Sequence, residues 1–223
     1  MKRRLAVIGL VVLAGCGGES PPPAGAPAAA TADDPGRPIS EAQALTLARL
    51  LQQNWQRRGA TFTGELGVRG VRMALSGRVD FRSGRGTATL REPSAASRRY
   101  VWTRRAVYAQ AGPGSDRYVV QAPNAEGDPV HSGIAMINLL SAETIDNTAN
   151  LKDQGARFLR SEKLGNAEVD VYRYRADGAT TYWVNRDDGL LHQLEAKFPD
   201  GDRLVLTLTA HKPVRVQLPS SRG

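Results

Sequence analysis

The side chains best suited to chemistry in this 223-residue chain are one cysteine, Cys16, and three histidines. A single thiol excludes an internal disulfide, a Cys-x-x-Cys redox pair and a thiolate zinc cage. His131, His192 and His211 form no helical His-x-x-x-His pair that would bind a metal. We expect His192 to be a hydrogen-bonded core histidine, His131 a loop residue and His211 a strand-end residue.

Short segments that superficially match catalytic motifs lack essential residues. Residues 112–116, Gly-Pro-Gly-Ser-Asp, lack the glycine two positions after the serine that completes a nucleophile elbow. Residues 83–87 lack the Gly-Lys-Ser/Thr ending of a phosphate-binding loop. Asp187 and Asp188 are neighbours in a turn rather than carboxylates on facing elements. The sequence therefore predicts a protein that is not an enzyme and that holds no metal and no cofactor.

Cys16 follows a segment with the order of an export signal. Residues 1–4 are positively charged, residues 5–14 are apolar, and Gly15 precedes the cysteine. Ten apolar residues make a helix about half as long as the hydrocarbon core of a bilayer is thick, so the segment is too short for a stable membrane span. We therefore predict that residues 1–15 are removed as a signal peptide.

Residues 13–16, Leu-Ala-Gly-Cys, resemble the lipobox of bacterial lipoproteins. That resemblance implies that diacylglycerol alkylates the thiol of Cys16 and that acyl chains such as palmitate hold the protein at the cell membrane, on its extracytoplasmic face. The alternative is an ordinary buried thiol near an ordinary cleavage site.

The rest of the chain divides into a tether, one domain and a short tail. Residues 16–38 are rich in Pro, Ala and Gly and show no apolar periodicity, which predicts a disordered spacer after the lipidated cysteine. Residues 39–218 are long enough for a single domain with a sizeable core, and residues 219–223 form the tail.

The positive charge of the chain does not indicate a nucleic-acid partner. The formal charge is +8, and removal of three basic residues with the signal leaves about +5. An exported protein seldom meets nucleic acid, so we predict none as a partner. Arg98, Arg99, Arg104 and Arg105 are either charges that protect a strand edge or a cluster that contacts anionic lipid headgroups.

Apolar periodicity predicts one helix followed by a series of antiparallel strands. Ser40 and Gln43 have the spacing of a capping box, and Gly59 is placed to end the helix. Alternating residues predict strands on both sides of a turn at Arg69 and Gly70. After a less clear meander, hairpin turns are predicted around positions 165, 178, 189 and 201.

Two shorter helices interrupt the strands. An apolar run at residues 134–140 predicts a buried helix, and a second helix is expected around residues 147–154, ended by Gly155. In the last strands, Leu190, His192 and Leu194 are predicted to share the apolar face. The fold class is therefore α+β, with one curved antiparallel sheet, a half-barrel, packed by its single apolar face on a few helices.

Several features of the chain together match a known type of protein. They are the lipobox and tether, the stretch at residues 76–81, the apolar central helix, and the segments at residues 182–184, 188–190 and 195–196. The resemblance is to the LppX/LprG type of envelope lipoproteins, whose fold is similar to that of the lipoprotein carriers LolA and LolB. It implies a half-barrel whose helices close over an apolar cavity that binds lipids or acylated glycolipids. The chain departs from this pattern in its loop at residues 112–129.

Two functions remain open. The first is a lipoprotein that binds or carries a lipid or other amphiphile in an apolar cavity between sheet and helices. The second is a non-enzymatic interaction or scaffold lipoprotein with a filled core, which would bind an envelope protein through loops such as residues 112–129. The candidate cavity residues are Val71, Met73, Leu75, Val79, Phe81, Ile134, Met136, Ile137, Leu194 and Phe198.

Substitution of the cysteine tests the predicted anchor. We expect Cys16→Ser to give an uncleaved or soluble product, because the hydroxyl is not alkylated and the acyl chains that hold the protein at the membrane are lost. Intact-protein mass and partition into detergent measure the two effects. A Cys16→Ser product that still carries the lipid would show that the anchor is elsewhere.

Overall fold

The computed structural model describes residues 36–175 and 178–219. The predicted signal peptide, Cys16 and most of the predicted tether and tail lie outside these residues. Within them, twelve strands form a single sheet that is accompanied by three helices.

One helix precedes the long strands, and the other two lie near the middle of the chain. The helices are α1 (Glu41–Arg57), α2 (Pro129–Asn138) and α3 (Thr148–Asp153). The strands are β1 (Arg37–Pro38), β2 (Gly59–Val68), β3 (Val71–Asp80), β4 (Arg85–Arg91), β5 (Arg98–Trp102), β6 (Val107–Gln110), β7 (Tyr118–Gln121), β8 (Arg157–Leu164), β9 (Ala167–Arg173), β10 (Thr180–Asn185), β11 (Leu191–Lys197) and β12 (Arg203–His211).

All neighbouring strands of the sheet are antiparallel, in the order β1-β8-β9-β10-β11-β12-β2-β3-β4-β5-β6-β7. Two meanders, β2 to β7 and β8 to β12, meet where β12 pairs with β2, with Leu206 opposite Gly64 and Leu204 opposite Leu66. The sheet stays open, with β1 and β7 at its edges. The predicted α+β class with a large antiparallel sheet packed on a few helices is confirmed.

The first helix begins as predicted and ends one residue earlier than predicted. The Ser40 side chain accepts from the Gln43 N–H while the Gln43 side chain accepts from the Ser40 N–H, which completes the capping box. Arg58, with a φ of 72°, takes the left-handed conformation expected of Gly59. Gly59 instead begins β2, where an added Cβ would lie 2.7 Å from the carbonyl oxygen of Val79. The glycine therefore serves close strand packing rather than the helix end.

The second helix starts before the apolar run that predicted it. Asp128 caps α2 by accepting from the N–H groups of Val130 and His131, and Pro129 occupies the first turn, where a missing N–H costs nothing. His131 therefore lies in a helix and is 5% exposed, so the prediction of a loop residue is wrong. The third helix, predicted around residues 147–154, is capped by Asn147 and ends before Gly155.

The main core lies between the inner face of the sheet and the helices. Side chains from α1, α2 and α3 join those of the central strands in one buried cluster. Neighbouring residues of a strand face opposite sides of the sheet. Tyr172 and Tyr182 pair with each other and belong to the core. The next pair, Val171 and Trp183, therefore lies on the outer face. These residues form a second, small cluster with Val169 there. The sheet is therefore apolar on both faces around β9 and β10, whereas we predicted a single apolar face.

A β-bulge places His192 away from the core. Val184 pairs with Leu191 and Trp183 with Gln193, so His192 is the extra residue of the bulge. Leu191 is fully buried on the inner face, whereas His192 is only half-buried. The prediction that His192 shares the core face with Leu194 is wrong, because a strict two-residue alternation does not allow for the bulge.

Two glycines of β2 allow a matched test of the pairing between β2 and β12. An added Cβ at Gly64 would lie 2.0 Å from the carbonyl oxygen of Val205, whereas one at Gly67 would have its nearest neighbour at 3.6 Å. We expect Gly64→Ala to lower the free energy of unfolding by about 1–3 kcal/mol, because the backbone of β12 must move. Gly67→Ala should change it by less than about 1 kcal/mol. Urea denaturation measures both, and equal effects would contradict the close approach of β12 to β2.

A candidate ligand-binding groove

An open, mostly apolar groove of about 580 Å³ lies beside the β2–β3 hairpin and the start of α2. Ligand sites generally have volumes of about 300–1,000 Å³, so this space is large enough for part of an amphiphile. We call it the hairpin groove. Its lining residues are Val68, Arg69, Val71, Met73, Leu90, Glu92, Ala95, Ala96, Arg98, Tyr100, Pro113, Pro129 and Val130.

The groove exists because the strands extend further than the helix that covers them. β2 and β3 have 10 residues each, and α2 also has 10. At about 3.3 Å per residue in a strand and 1.5 Å in a helix, the hairpin is roughly twice as long as α2. Val71, at the exposed end of β3, remains 48% exposed, while Met73, two residues further along, is 9% exposed. The apolar face of the hairpin is therefore uncovered at its tip and buried further in.

Next to the groove, little space remains between α2 and the strands that it contacts. A void of about 10 Å³ lies behind the groove and shares Leu90, Tyr100 and Val130 with its lining. Such a void holds one water molecule at most. In this conformation an acyl chain therefore has room in the hairpin groove but not in the void behind it.

The ten candidate cavity residues fall into three positions. Val71 and Met73 line the hairpin groove, and Leu75, Ile134 and Ile137 line the void behind it. The other five pack in or against the main core, namely Val79, Phe81, Met136, Leu194 and Phe198. Sequence reasoning missed Leu90, Tyr100 and Val130. Their positions in strands and a helix are consistent with packing against the core, but do not show that they also border a groove.

The segment at residues 112–129 forms one rim of the groove through Pro113 and Pro129. It contains β7 and is fastened to neighbouring elements by hydrogen bonds. The Asn124 N–H donates to Nδ1 of His131 at 3.1 Å, and the Ser132 hydroxyl donates to the Ala125 carbonyl oxygen. The buried histidine of α2 therefore holds the end of this rim.

The opposite rim is the two-residue turn between β2 and β3. Arg69 has a φ of 49° and Gly70 a φ of 82°, the combination of a type I′ turn. The Arg69 N–H donates to Oδ1 of Asp202 at 2.8 Å, and Asp202 is only 4% exposed. The turn is thus fixed to a buried carboxylate at the start of β12.

Burial shifts the pKa of several side chains that lie away from the groove. Burial lowers the pKa of His192, with the charge of Asp188 opposing the shift, and burial also lowers that of His211. Burial raises the pKa of Tyr182 to about 12. These three residues do not line the groove.

Neither a metal site nor a membrane-spanning helix is found in residues 36–175 and 178–219. No three side chains of His, Cys, Asp or Glu come together there in a way that would bind a metal ion. None of the helices there has the length and apolar character needed to cross a bilayer.

No protein-family model and no curated protein sequence matches this chain. Among solved structures, it is similar to lipoprotein LppX of Mycobacterium tuberculosis, with 11% identity and a TM-score of 0.51 over 80% of this chain and 100% of that one. This chain has an LppX-like fold. The predicted resemblance to the LppX type is therefore confirmed at the level of the fold.

Two further structures align less well. The MucA/MucB complex of Pseudomonas aeruginosa has 14% identity and a TM-score of 0.39 over 77% of this chain and 58% of that one. A LolA-superfamily protein of Nitrosomonas europaea has 9% identity and a TM-score of 0.29 over 75% and 95%. The fold assignment rests on LppX alone.

Substitution of Asp202 tests the hydrogen bond that fixes the turn between β2 and β3. We expect Asp202→Ala to lower the free energy of unfolding by about 1–3 kcal/mol, because the N–H of Arg69 loses its buried acceptor. Asp202→Asn retains an acceptor oxygen and should lose less than half as much. Chemical denaturation of the two variants measures this difference, and equal losses would show that the hydrogen bond to Arg69 does not hold the turn.

Proposed function

We propose that this protein is a membrane-anchored lipoprotein that binds the acyl part of a lipid or other amphiphile in the hairpin groove. The single observation that carries the proposal is an apolar groove of about 580 Å³ that the chain's own helices leave uncovered. Mostly apolar pockets of this volume are the usual places where proteins bind small amphiphilic ligands. The LppX-like fold supports a non-enzymatic binding role.

Binding in such a groove is chiefly hydrophobic. Each methylene that leaves water contributes about 0.8 kcal/mol, so a short length of acyl chain along Val71, Met73 and Leu90 suffices for reversible binding. A chain of this kind needs no directional polar contact, which fits walls made mostly of aliphatic side chains and proline rings.

The proposed location follows from the N-terminus. Lipidation of Cys16 would hold the protein at the extracytoplasmic face of the cell membrane, and the proline-rich segment after it would give the groove access to amphiphiles in or near the bilayer.

A second candidate function is supported by the free edge of the sheet. Among the strands of the described residues, β7 pairs with β6 alone, and Val119 and Val120 in it are 50% and 60% exposed. An exposed edge strand can add a strand of another protein. An envelope protein bound at β7 would make the chain an interaction lipoprotein whose groove plays no part.

Filling the groove with a larger side chain distinguishes the two candidates. We expect the wild-type chain, extracted in mild detergent, to carry a non-covalent lipid-sized adduct in native mass spectrometry. Val71→Trp should remove most of this adduct, because the indole occupies the space that the ligand needs. Since Val71 is 48% exposed, the larger side chain should fit without unfolding the protein.

Val120→Trp provides the matched control. It makes the same change at an exposed valine of a strand that does not line the groove. It should leave the adduct unchanged. A wild-type chain without adduct, or equal adduct in both variants, would contradict ligand binding in the hairpin groove.

A further inference from the structure

We infer that the hairpin groove selects amphiphiles with an anionic head group, a phosphate or a carboxylate, through Arg69 and Arg98. The inference rests on the proposed function and adds the class of ligand to it. Both arginines line the groove and both are exposed at its rim, where a head group would lie once the acyl chain occupies the apolar walls.

Arg69 occupies a position that its residue type disfavours. A type I′ turn requires positive φ at both central residues, so Asn, Asp or Gly is usual at the first of them. A long side chain with a Cβ is strained there, yet Arg69 adopts a φ of 49° and is held by Asp202. Strain that neighbouring contacts maintain is common at functional sites. Arg69 therefore places a guanidinium at this rim in a backbone conformation that suits asparagine better.

Arg98, the first residue of β5, also lines the groove. It pairs with Leu90 across β5 and β4, so it shares the inner face of the sheet with that leucine, whereas Arg99 lies on the outer face. An arginine beside apolar residues at the end of a sheet covers them with its methylenes and leaves its charged end in water. In this position it is available to a ligand in the groove.

Within residues 36–175 and 178–219, neither guanidinium forms an ion pair with a carboxylate. Among the lining residues, Arg69, Arg98 and Glu92 sum to one positive charge. The carboxylate of Asp202, which accepts from the Arg69 N–H, is buried and does not line the groove. Guanidinium groups form strong, often bidentate hydrogen bonds with phosphates and carboxylates. The combination of apolar walls and a net positive rim matches an anionic amphiphile.

A competition experiment measures the selectivity directly. The full chain in mild non-ionic detergent is incubated with equal amounts of hexadecyl phosphate, hexadecanoate and hexadecanol, and native mass spectrometry gives the ratio of bound species. These probes have the same number of carbon atoms in an unbranched chain and differ in head group. We expect the two anions to exceed the alcohol by about fivefold to tenfold, as for a charge-assisted hydrogen bond at an exposed site.

Substitutions at the rim should move this ratio in opposite directions. Arg69→Asn should reduce the preference for anions to about twofold or less while it keeps the turn, because asparagine accepts positive φ. Glu92→Gln should increase the preference, since it removes the opposing charge. Arg72→Gln, three residues from Arg69 but paired with Glu65, is the control and should leave the ratio unchanged.

The outcomes separate the inference from the function on which it rests. Equal binding of the three probes, or a loss of selectivity in Arg72→Gln as large as in Arg69→Asn, would overturn the head-group assignment and leave the groove as a binding site. Binding of none of them would overturn both. Inorganic phosphate should not displace hexadecyl phosphate at equal concentration, and displacement would show a site for a free anion instead.

Discussion

The burial of the inner face of the sheet is the constraint on which the rest of this structure depends. At about 4.8 Å between strands, twelve strands extend over roughly 50 Å, while each helix is about 10 Å wide. Three helices, one of them only six residues long, are too few to cover that surface. The helices pack on the central strands, and the tip of the longest hairpin remains uncovered.

The pairing of β12 with β2 decides where the uncovered surface lies. It joins the two meanders at the middle of the sheet, so the longest strands are central and their hairpin extends past α2. The close approach at Gly64 brings the two backbones together without a side chain between them. Immediately before β12 begins, Asp202 binds the turn that carries Arg69. The same part of the chain therefore closes the core and positions one rim of the groove.

The architecture could be predicted from the sequence to a large extent because it depends on local patterns. The capping box at Ser40, the turn at Arg69 and Gly70 and the alternation along β2 and β3 each involve residues that are close in the chain. The predictions that were wrong concern contacts between residues that are distant in the chain. The bulge at His192 and the second cluster around Trp183 follow from strand pairing and from what covers each face, neither of which a single segment reveals.

The candidate site was harder to predict for the same reason. Val71 and Leu194 are equally apolar and both alternate along strands, yet one borders the groove and the other is fully buried. The difference lies in the length of α2 relative to the hairpin, which the residues of the strands do not encode. Rim residues such as Pro113 are harder still to predict, since a proline in a loop has no periodicity to interpret.

An open groove and a closed cavity have different consequences for a ligand. A closed cavity removes the whole acyl chain from water and releases it only when the helices move, whereas a groove at the edge of the interface leaves part of the chain solvated and needs no opening step. Hydrophobic contact is non-directional, so the walls of the groove discriminate poorly between acyl chains. Discrimination must then come from the few charged groups at its rim. In the proposed function, the apolar walls would supply affinity and the rim, with Arg69 in a turn that usually favours asparagine, would supply selectivity.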